Sequence, residues 1–104
     1  MKIVEITPRP RARLFGTLID KEAAIRKNGR GTYERVGRKS ARAARWRHIK
    51  YGGSVQLQRE ESENITAKIR AAAPETERQL LASFLGFVDR HSQDKVATIT
   101  IHYR

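Results

Sequence analysis

Residues 65–103 contain the pattern that decides the fold, and they read ITAKIRAAAPETERQLLASFLGFVDRHSQDKVATITIHY. Apolar and polar side chains alternate over residues 65–72, which is typical of a half-buried β-strand. The alternation returns over residues 96–103, and between these two runs the apolar residues recur at helical spacing. The segment therefore predicts a strand, a helix over residues 74–91 and a second strand, joined as a right-handed crossover.

The central helix has clear end signals and one apolar stripe. Pro74 stands in the first turn, where its missing N–H is not needed. Glu75 and Glu77 lie near the positive end of the helix dipole, and Arg90 and His91 lie near the negative end. The residues expected to face the core are Leu80, Leu81, Phe84, Leu85 and Val88.

The first half of the chain has shorter patterns, which we interpret as strands. Residues 2–7 alternate weakly before a proline, and residues 13–19 form a short apolar run. Asn28-Gly29 is a strong hairpin signal, so we expect a hairpin between residues 23–27 and 30–36. Each of these segments would add a strand to the sheet of the second half.

A second hairpin is predicted around Gly52-Gly53, between residues 46–51 and 54–59. Val55 and Leu57 would share its buried face. The expected fold class is α+β, with a small mixed β-sheet built from hairpins plus the C-terminal strand-helix-strand unit. One long helix would pack on one face of that sheet, and residues 1–104 would form a single domain.

Composition excludes several classes of protein. The chain has 104 residues and no cysteine, which removes disulfide scaffolds, thiol nucleophiles and cysteine-based zinc sites. No apolar run approaches the ~18 residues of a membrane span. The first residues contain no signal-peptide core. We therefore expect a cytoplasmic protein that has no membrane segment.

Charge is the strongest functional signal, and it is uneven. The formal net charge is +11, from 22 Lys and Arg against 11 Asp and Glu. Residues 1–53 hold 15 of these bases and four acids, whereas residues 54–104 hold seven of each. A one-sided excess of this kind indicates a polyanionic partner. Arginine suits such a partner because its guanidinium can form paired hydrogen bonds with phosphate.

The basic excess is densest at about residues 26–50. This segment is poor in large apolar residues, and we expect residues 37–45 to be the most mobile internal part of the chain in the absence of a ligand. Trp46 lies among arginines and is either a base-stacking ring or a core residue. The candidate nucleic-acid-binding residues are Arg26, Lys27, Arg30, Arg35, Arg38, Lys39, Arg42, Arg45, Trp46, Arg47 and Lys50.

No residue set identifies a reaction, a metal or a cofactor. The histidines are His48, His91 and His102, and no two of them have the spacing of a helical ligand pair. We expect His91 to serve as a helix-end partner and the other two to lie on the polar faces of strands. The acidic turn formed by Glu60, Glu61 and Glu63 could do acid–base work, but such clusters are usually solvated.

Three functions remain open at this point. The sequence favours a small basic protein that binds nucleic acid, either RNA or single-stranded DNA. The alternative is a protein-interaction or assembly module whose basic surface binds an acidic partner. A small nuclease is the third, resting on His102, Tyr103 and Arg104, and without a paired base we do not expect an enzyme. An exposed sheet edge would also allow a homodimer.

Overall fold

The computed structural model describes residues 1–104 as one sheet of six strands with two helices. The strands are β1 (Lys2–Pro8), β2 (Tyr33–Arg35), β3 (Ala43–His48), β4 (Gly52–Arg59), β5 (Ile65–Arg70) and β6 (Val96–Tyr103). The helices are α1 (Leu14–Lys27) and α2 (Pro74–Ser92), and a short 3-10 turn at Gln93–Lys95 joins α2 to β6. The α+β class is confirmed.

The strand order in the sheet is β2-β3-β4-β5-β1-β6. Every neighbouring pair is antiparallel, so the sheet is not mixed as the sequence had suggested. The predicted strand-helix-strand unit is present as β5, α2 and β6. Because β5 and β6 both run antiparallel to β1, they are parallel to each other, and α2 carries the chain across β1 between them.

Helix α2 matches its prediction closely. Four of the five predicted core residues are buried, and Leu85 is half-buried against the core. Phe87 is also buried, although the predicted stripe did not include it. Near the start of the helix, the Lys2 ammonium donates a hydrogen bond to Glu77 Oε1 at 2.8 Å. This hydrogen bond holds the pKa of Glu77 below its usual value and ties the first strand to the helix layer.

The strand predicted over residues 13–19 is wrong, because these residues begin helix α1. Leu14, Phe15, Leu18 and Ile19 are buried, and Glu22 continues the same stripe one turn later. This spacing follows the 3.6-residue period of a helix. Residues 13–19 taken alone also fit a short apolar strand, whereas Glu22 and Ile25 extend the helical spacing further along the chain.

The hairpin predicted around Asn28-Gly29 is also wrong, since the pair ends α1. The Gly29 N–H donates to the Arg26 carbonyl at 3.0 Å, and the Arg30 N–H donates to the Ile25 carbonyl at 3.2 Å. Gly29 has a φ of +70°, which completes a Schellman motif. Asn-Gly serves this motif as readily as a hairpin turn, because both need a left-handed residue.

The second hairpin is confirmed as β3 and β4, although the chain reverses at residues 49–51, just before Gly52-Gly53. Val55 and Leu57 are buried, as predicted. Their partners in β3 are Trp46 and Ala44, which lie on the same covered face. The first strand β1 is also confirmed, but it lies inside the sheet, between β5 and β6.

The core lies entirely between the two helices and one face of the sheet. Its 19 buried hydrophobic residues form a single cluster that includes α1, α2 and the inward residues of β1 to β5. Trp46 is fully buried, with its ring centroid 5.3 Å from that of Phe87 and 5.4 Å from that of Tyr33. Neither helix is long and apolar enough to cross a membrane.

Candidate functional site

The second face of the sheet is not covered by either helix. Side chains directly opposite each other on paired strands share a face, so the strand register defines this surface. We call it the open face. In β2 to β5 it consists of Glu34, Ala43, Arg45, Arg47, Ser54, Gln56, Gln58, Thr66, Lys68 and Arg70. In β1 and β6 it continues with Ile3, Glu5, Thr7, Thr98, Thr100 and His102.

Four cations form a compact group on the open face. Arg45 of β3 and Lys68 of β5 lie in one row across the sheet, with Gln56 of β4 between them. Arg47 and Arg70 lie in the next row, in the same two strands. Given the spacing of strands and residues in a sheet, their backbone positions mark a rectangle of about 7 by 10 Å.

The loop between β2 and β3, residues 36–42, extends this basic surface. Arg38 and Arg45 line a shallow depression of about 350 Å³, with Val36 and Gly37 beside them. The Ser40 hydroxyl accepts hydrogen bonds from the N–H groups of Arg42 and Ala43 and so fixes the turn back into β3. We call the set Arg38, Arg45, Arg47, Lys68 and Arg70 the basic face.

Most cations of the basic face have no acidic partner. Arg47 forms an ion pair with Glu34 of β2, which is the single acid on the open face of β2 to β5. Arg38, Arg45, Lys68 and Arg70 form no ion pair. On the far side of the face, Glu5 Oε1 lies 3.4 Å from His102 Nε2, and the open face of β1 and β6 carries no Lys or Arg.

The remaining predicted cations lie at the two ends of the sheet. Lys39 and Arg42 belong to the β2–β3 loop and are exposed, and Lys39 lies near Phe15 on the α1 side. Lys27, Arg30 and Lys50 lie at the opposite end, where the Ile49 N–H donates to the Thr32 carbonyl. The predicted residues therefore do not converge on one point, and only part of the set faces the open sheet.

Trp46 does not belong to the surface. Its side chain has no exposed area, so it cannot stack on a base, and the core alternative is the correct one. In the sequence Trp46 stands between two arginines, which suggested a surface position. Alternation in β3 places Arg45 and Arg47 on one face and Trp46 on the other. No exposed aromatic ring replaces it on the basic face, so the preference for single strands loses its support.

Arg26 and Arg35 interact electrostatically with the buried carboxylate of Glu22. Glu22 is only 3% exposed, and Arg26 Nε lies 3.5 Å from its Oε2. Burial raises the pKa of Glu22, while Arg26 and Arg35 oppose that rise. Both arginines are half-buried, and their charges offset that of Glu22 within the molecule. We therefore leave them out of the surface that could bind a ligand.

Several surface cations were missing from the predicted set, among them the half-buried Lys68 and the exposed Arg70. Lys68 and Arg70 lie in an alternating strand whose outward side had been interpreted as merely polar. The register that aligns them with Arg45 and Arg47 was not readable from the sequence. Three further arginines, Arg9, Arg11 and Arg13, are exposed in the β1–α1 loop. Their Pro-Arg-Pro-Arg-Ala-Arg sequence was a usable signal, since it lies between two regular elements.

The titratable side chains do not assemble a reaction centre. His48 is buried on the covered face, which corrects the expectation of a polar strand face. Its Nδ1 accepts hydrogen bonds from the N–H groups of Lys50 and Tyr51, each at 3.1 Å. His102 lies on the open face as expected, and His91 closes α2. No three His, Asp or Glu side chains are grouped as metal ligands.

The chemistry available on the open face is anion binding by guanidinium and ammonium groups. Arg45, Lys68 and Arg70 can each donate hydrogen bonds to phosphate or carboxylate oxygens. Comparison with protein-family models, curated proteins and solved structures finds no significant match to this chain. The function is therefore inferred from the charge and geometry of this surface alone.

Proposed function

We propose that this protein binds nucleic acid through the phosphates of its backbone, using the open face of the sheet. The observation that supports this most directly is the group of unpaired cations on an uncovered sheet. Four of the five members of the basic face form no ion pair, so their charges are free to bind phosphate.

The shape of the open face suits an extended or helical polyanion. The cations lie in two strands and one loop at the same side of the sheet, so a strand of phosphates can contact several of them at once. Their side chains are long and flexible, while the backbone beneath them is held by ladders on both sides of β3, β4 and β5. Rigid support limits the entropy lost when the ligand binds.

The contacts favour backbone recognition over sequence reading. Phosphate contacts position a protein without selecting a base sequence, whereas base contacts give specificity. Gln56 and Gln58 are the amide side chains on the open face, and Val36 is the large apolar residue that is exposed beside it. With Trp46 in the core, we expect similar affinity for single-stranded and duplex forms of comparable length.

The proposal is tested by removing charge from one face only. In the basic-face variant, Arg45, Lys68 and Arg70 are each replaced by Gln. The matched control replaces Lys21, Arg78 and Arg90 by Gln, which removes the same charge from exposed positions on the helices. Binding of labelled RNA and DNA is measured by fluorescence anisotropy, and circular dichroism checks that both variants fold.

The basic-face variant should bind tens of fold more weakly at physiological salt, because each lost contact with a single strand removes ~0.7 of a released counterion. The control variant should stay within a few-fold of the unchanged protein. Equal losses in the two variants would mean that net charge, and not this face, drives binding. Binding of polyglutamate but of no nucleic acid would replace the proposal with an acidic protein partner.

A further inference from the structure

Strand β6 forms one edge of the sheet, and its outer side has no partner strand. It has eight residues, whereas β2, the edge strand on the opposite side, has three. Residues 96–101 of β6 carry no charge and contain no proline. A long, uncharged edge presents unpaired backbone groups that a further strand can bind. The ladder to β1 is irregular at Ala97, but residues 98–101 pair with β1 in continuous register and carry neither the charge nor the proline that commonly protects an edge.

The hydrogen-bonding direction of β6 follows from the ladder. The Arg59 N–H donates to Arg42 on the β3 side, and the Glu60 N–H donates to Asn64 on the β5 side. The backbone N–H and C=O groups of odd-numbered residues in β4 therefore point to β3, and those of even-numbered residues point to β5. Opposed residues in antiparallel strands either both point their N–H and C=O groups into the gap between the strands or both point them away from it. Carried through β5 and β1, the register makes Ile99 and Ile101 the residues whose N–H and C=O groups point to the free edge.

The side chains along this edge are apolar on one face and neutral on the other. Ile99 is 38% exposed and Tyr103 is 70% exposed, and both lie on the helix side of the sheet. Ile101, between them, packs against the core. On the open face, Thr98 and Thr100 are exposed hydroxyl residues. The helix layer thus stops short of β6 and leaves an apolar margin beside the free backbone groups.

We propose that two copies of this chain pair antiparallel through β6, about a two-fold axis at Thr100. In this register Ile99 of one copy lies opposite Ile101 of the other, and the two residues exchange both backbone hydrogen bonds. Tyr103 of the second copy lies diagonally next to Ile99, so these exposed apolar side chains cover one another. Thr100 lies opposite Thr100 of the second copy on the open face.

A second copy is the partner that this edge fits best. The pairing is isologous: Ile99 of each copy contacts Ile101 of the other, so the same surface is used on both copies. The whole chain carries +11, so a second copy is repelled from most of its surface. Residues 96–103 of β6 contain no Lys or Arg, and the nearest basic-face residue, Lys68, would lie about 27 Å from its counterpart, well beyond the ~8 Å Debye length.

This inference does not rest on the proposed function, and it can be tested without nucleic acid. The mass in solution is measured by light scattering over a range of micromolar concentrations. A mass near twice the 11.9 kDa of the chain is expected. Ile99→Lys should restore the single-chain mass, because it places two like charges against the second strand. The control Gln58→Lys adds the same charge on β4 and should leave the dimer intact.

Two cysteine variants test the register. The chain has no cysteine, so Thr100→Cys introduces a single thiol at the proposed axis. Opposed non-hydrogen-bonded residues have Cα atoms ~4.5 Å apart, within the range that a disulfide spans. Oxidation should therefore convert Thr100→Cys into a covalent dimer. The control Thr98→Cys lies on the same face, but its two copies would be about 13 Å apart, and it should stay uncrosslinked.

Other outcomes overturn the proposal. A single-chain mass at every concentration would show that β6 remains a free edge. A dimer that survives Ile99→Lys would place the contact elsewhere on the molecule. Crosslinking of Thr98→Cys in preference to Thr100→Cys would reject the register centred on Thr100. If Ile99→Lys fails to fold by circular dichroism, the two cysteine variants alone decide.

Discussion

Gly53, at the start of β4, lies in close contact with both β5 and helix α2. Its φ of +65° lies in the left-handed region, and a Cβ placed there would be 2.7 Å from the Arg70 carbonyl oxygen. The same Cβ would be 2.9 Å from Leu80 Cδ2. Gly52 has a similar φ of +70°, but nothing lies within 4 Å of its Cβ position. Substituting Gly52 therefore tests the cost of a left-handed backbone alone, whereas substituting Gly53 adds the cost of steric overlap.

We predict that Gly53→Ala destabilises the protein more than Gly52→Ala does. Gly52→Ala should cost ~1–2 kcal/mol for the left-handed backbone. Gly53→Ala should cost about 1–3 kcal/mol more, because a backbone carbonyl of β5 has to move. Chemical denaturation of both variants measures the difference. Equal losses would mean that the β4–β5 contact adapts without cost.

His48 gives a second residue-scale prediction, on pH dependence. Burial lowers the pKa of His48 from its ordinary value of 6.5, and Lys50 adds to this effect. The fold therefore favours the neutral ring, whose Nδ1 accepts the two hydrogen bonds of the β3–β4 turn. Its contribution to stability is complete above pH 6.5 and is lost as the pH falls through the lower folded value.

The free energy of unfolding, measured between pH 8 and pH 5, should therefore decrease toward acid and do so less in His48→Asn. Asn keeps an acceptor without a proton that titrates. His91 also has a lowered pKa, caused first by burial, so His91→Gln is the comparison that separates the two. An unchanged acid decline in His48→Asn would assign the dependence to other groups.

At the scale of elements, α2 organises the core. Phe84 is fully buried at the centre of its apolar face, with its ring centroid 6.5 Å from that of Trp46. Phe84→Ala should cost ~3–5 kcal/mol, which is a large share of the stability of a small domain. Denaturant unfolding monitored by the fluorescence of the single tryptophan measures this cost. A loss below ~1 kcal/mol would mean that Phe84 does not hold the helix layer on the sheet.

The elements differ in how far the sequence predicts them. Helix α2 and its flanking strands were predictable because their periods run for many residues and their end signals agree. Helix α1 was not, because its first apolar residues also fit a short strand and its Asn28-Gly29 end also fits a hairpin turn. Strand β2 has three residues and lies within the strand predicted over residues 30–36, but it pairs with β3 and not with residues 23–27. Pairing order was not predictable, since β1 enters the sheet between two strands from the other end of the chain.

At the scale of the whole molecule, two helices on one side leave the other side of the sheet bare. The sequence predicted a basic segment, but it could not show that alternation in β3 buries Trp46 and exposes Arg45. It also could not align β5 with β3, and so it missed Lys68 and Arg70. The basic face exists because the antiparallel register joins cations that lie more than twenty residues apart in the chain.

The salt dependence of nucleic-acid binding tests the central claim most directly. With about five phosphate contacts to a single strand, log K should fall with a slope near −3.5 in log salt. Binding would then weaken about a hundredfold between 50 and 200 mM salt. In the variant with Arg45, Lys68 and Arg70 replaced by Gln, the slope should be flatter by about two units. The control with Lys21, Arg78 and Arg90 replaced should keep the original slope. Absence of binding at 50 mM salt, or an unchanged slope in the basic-face variant, would contradict the account.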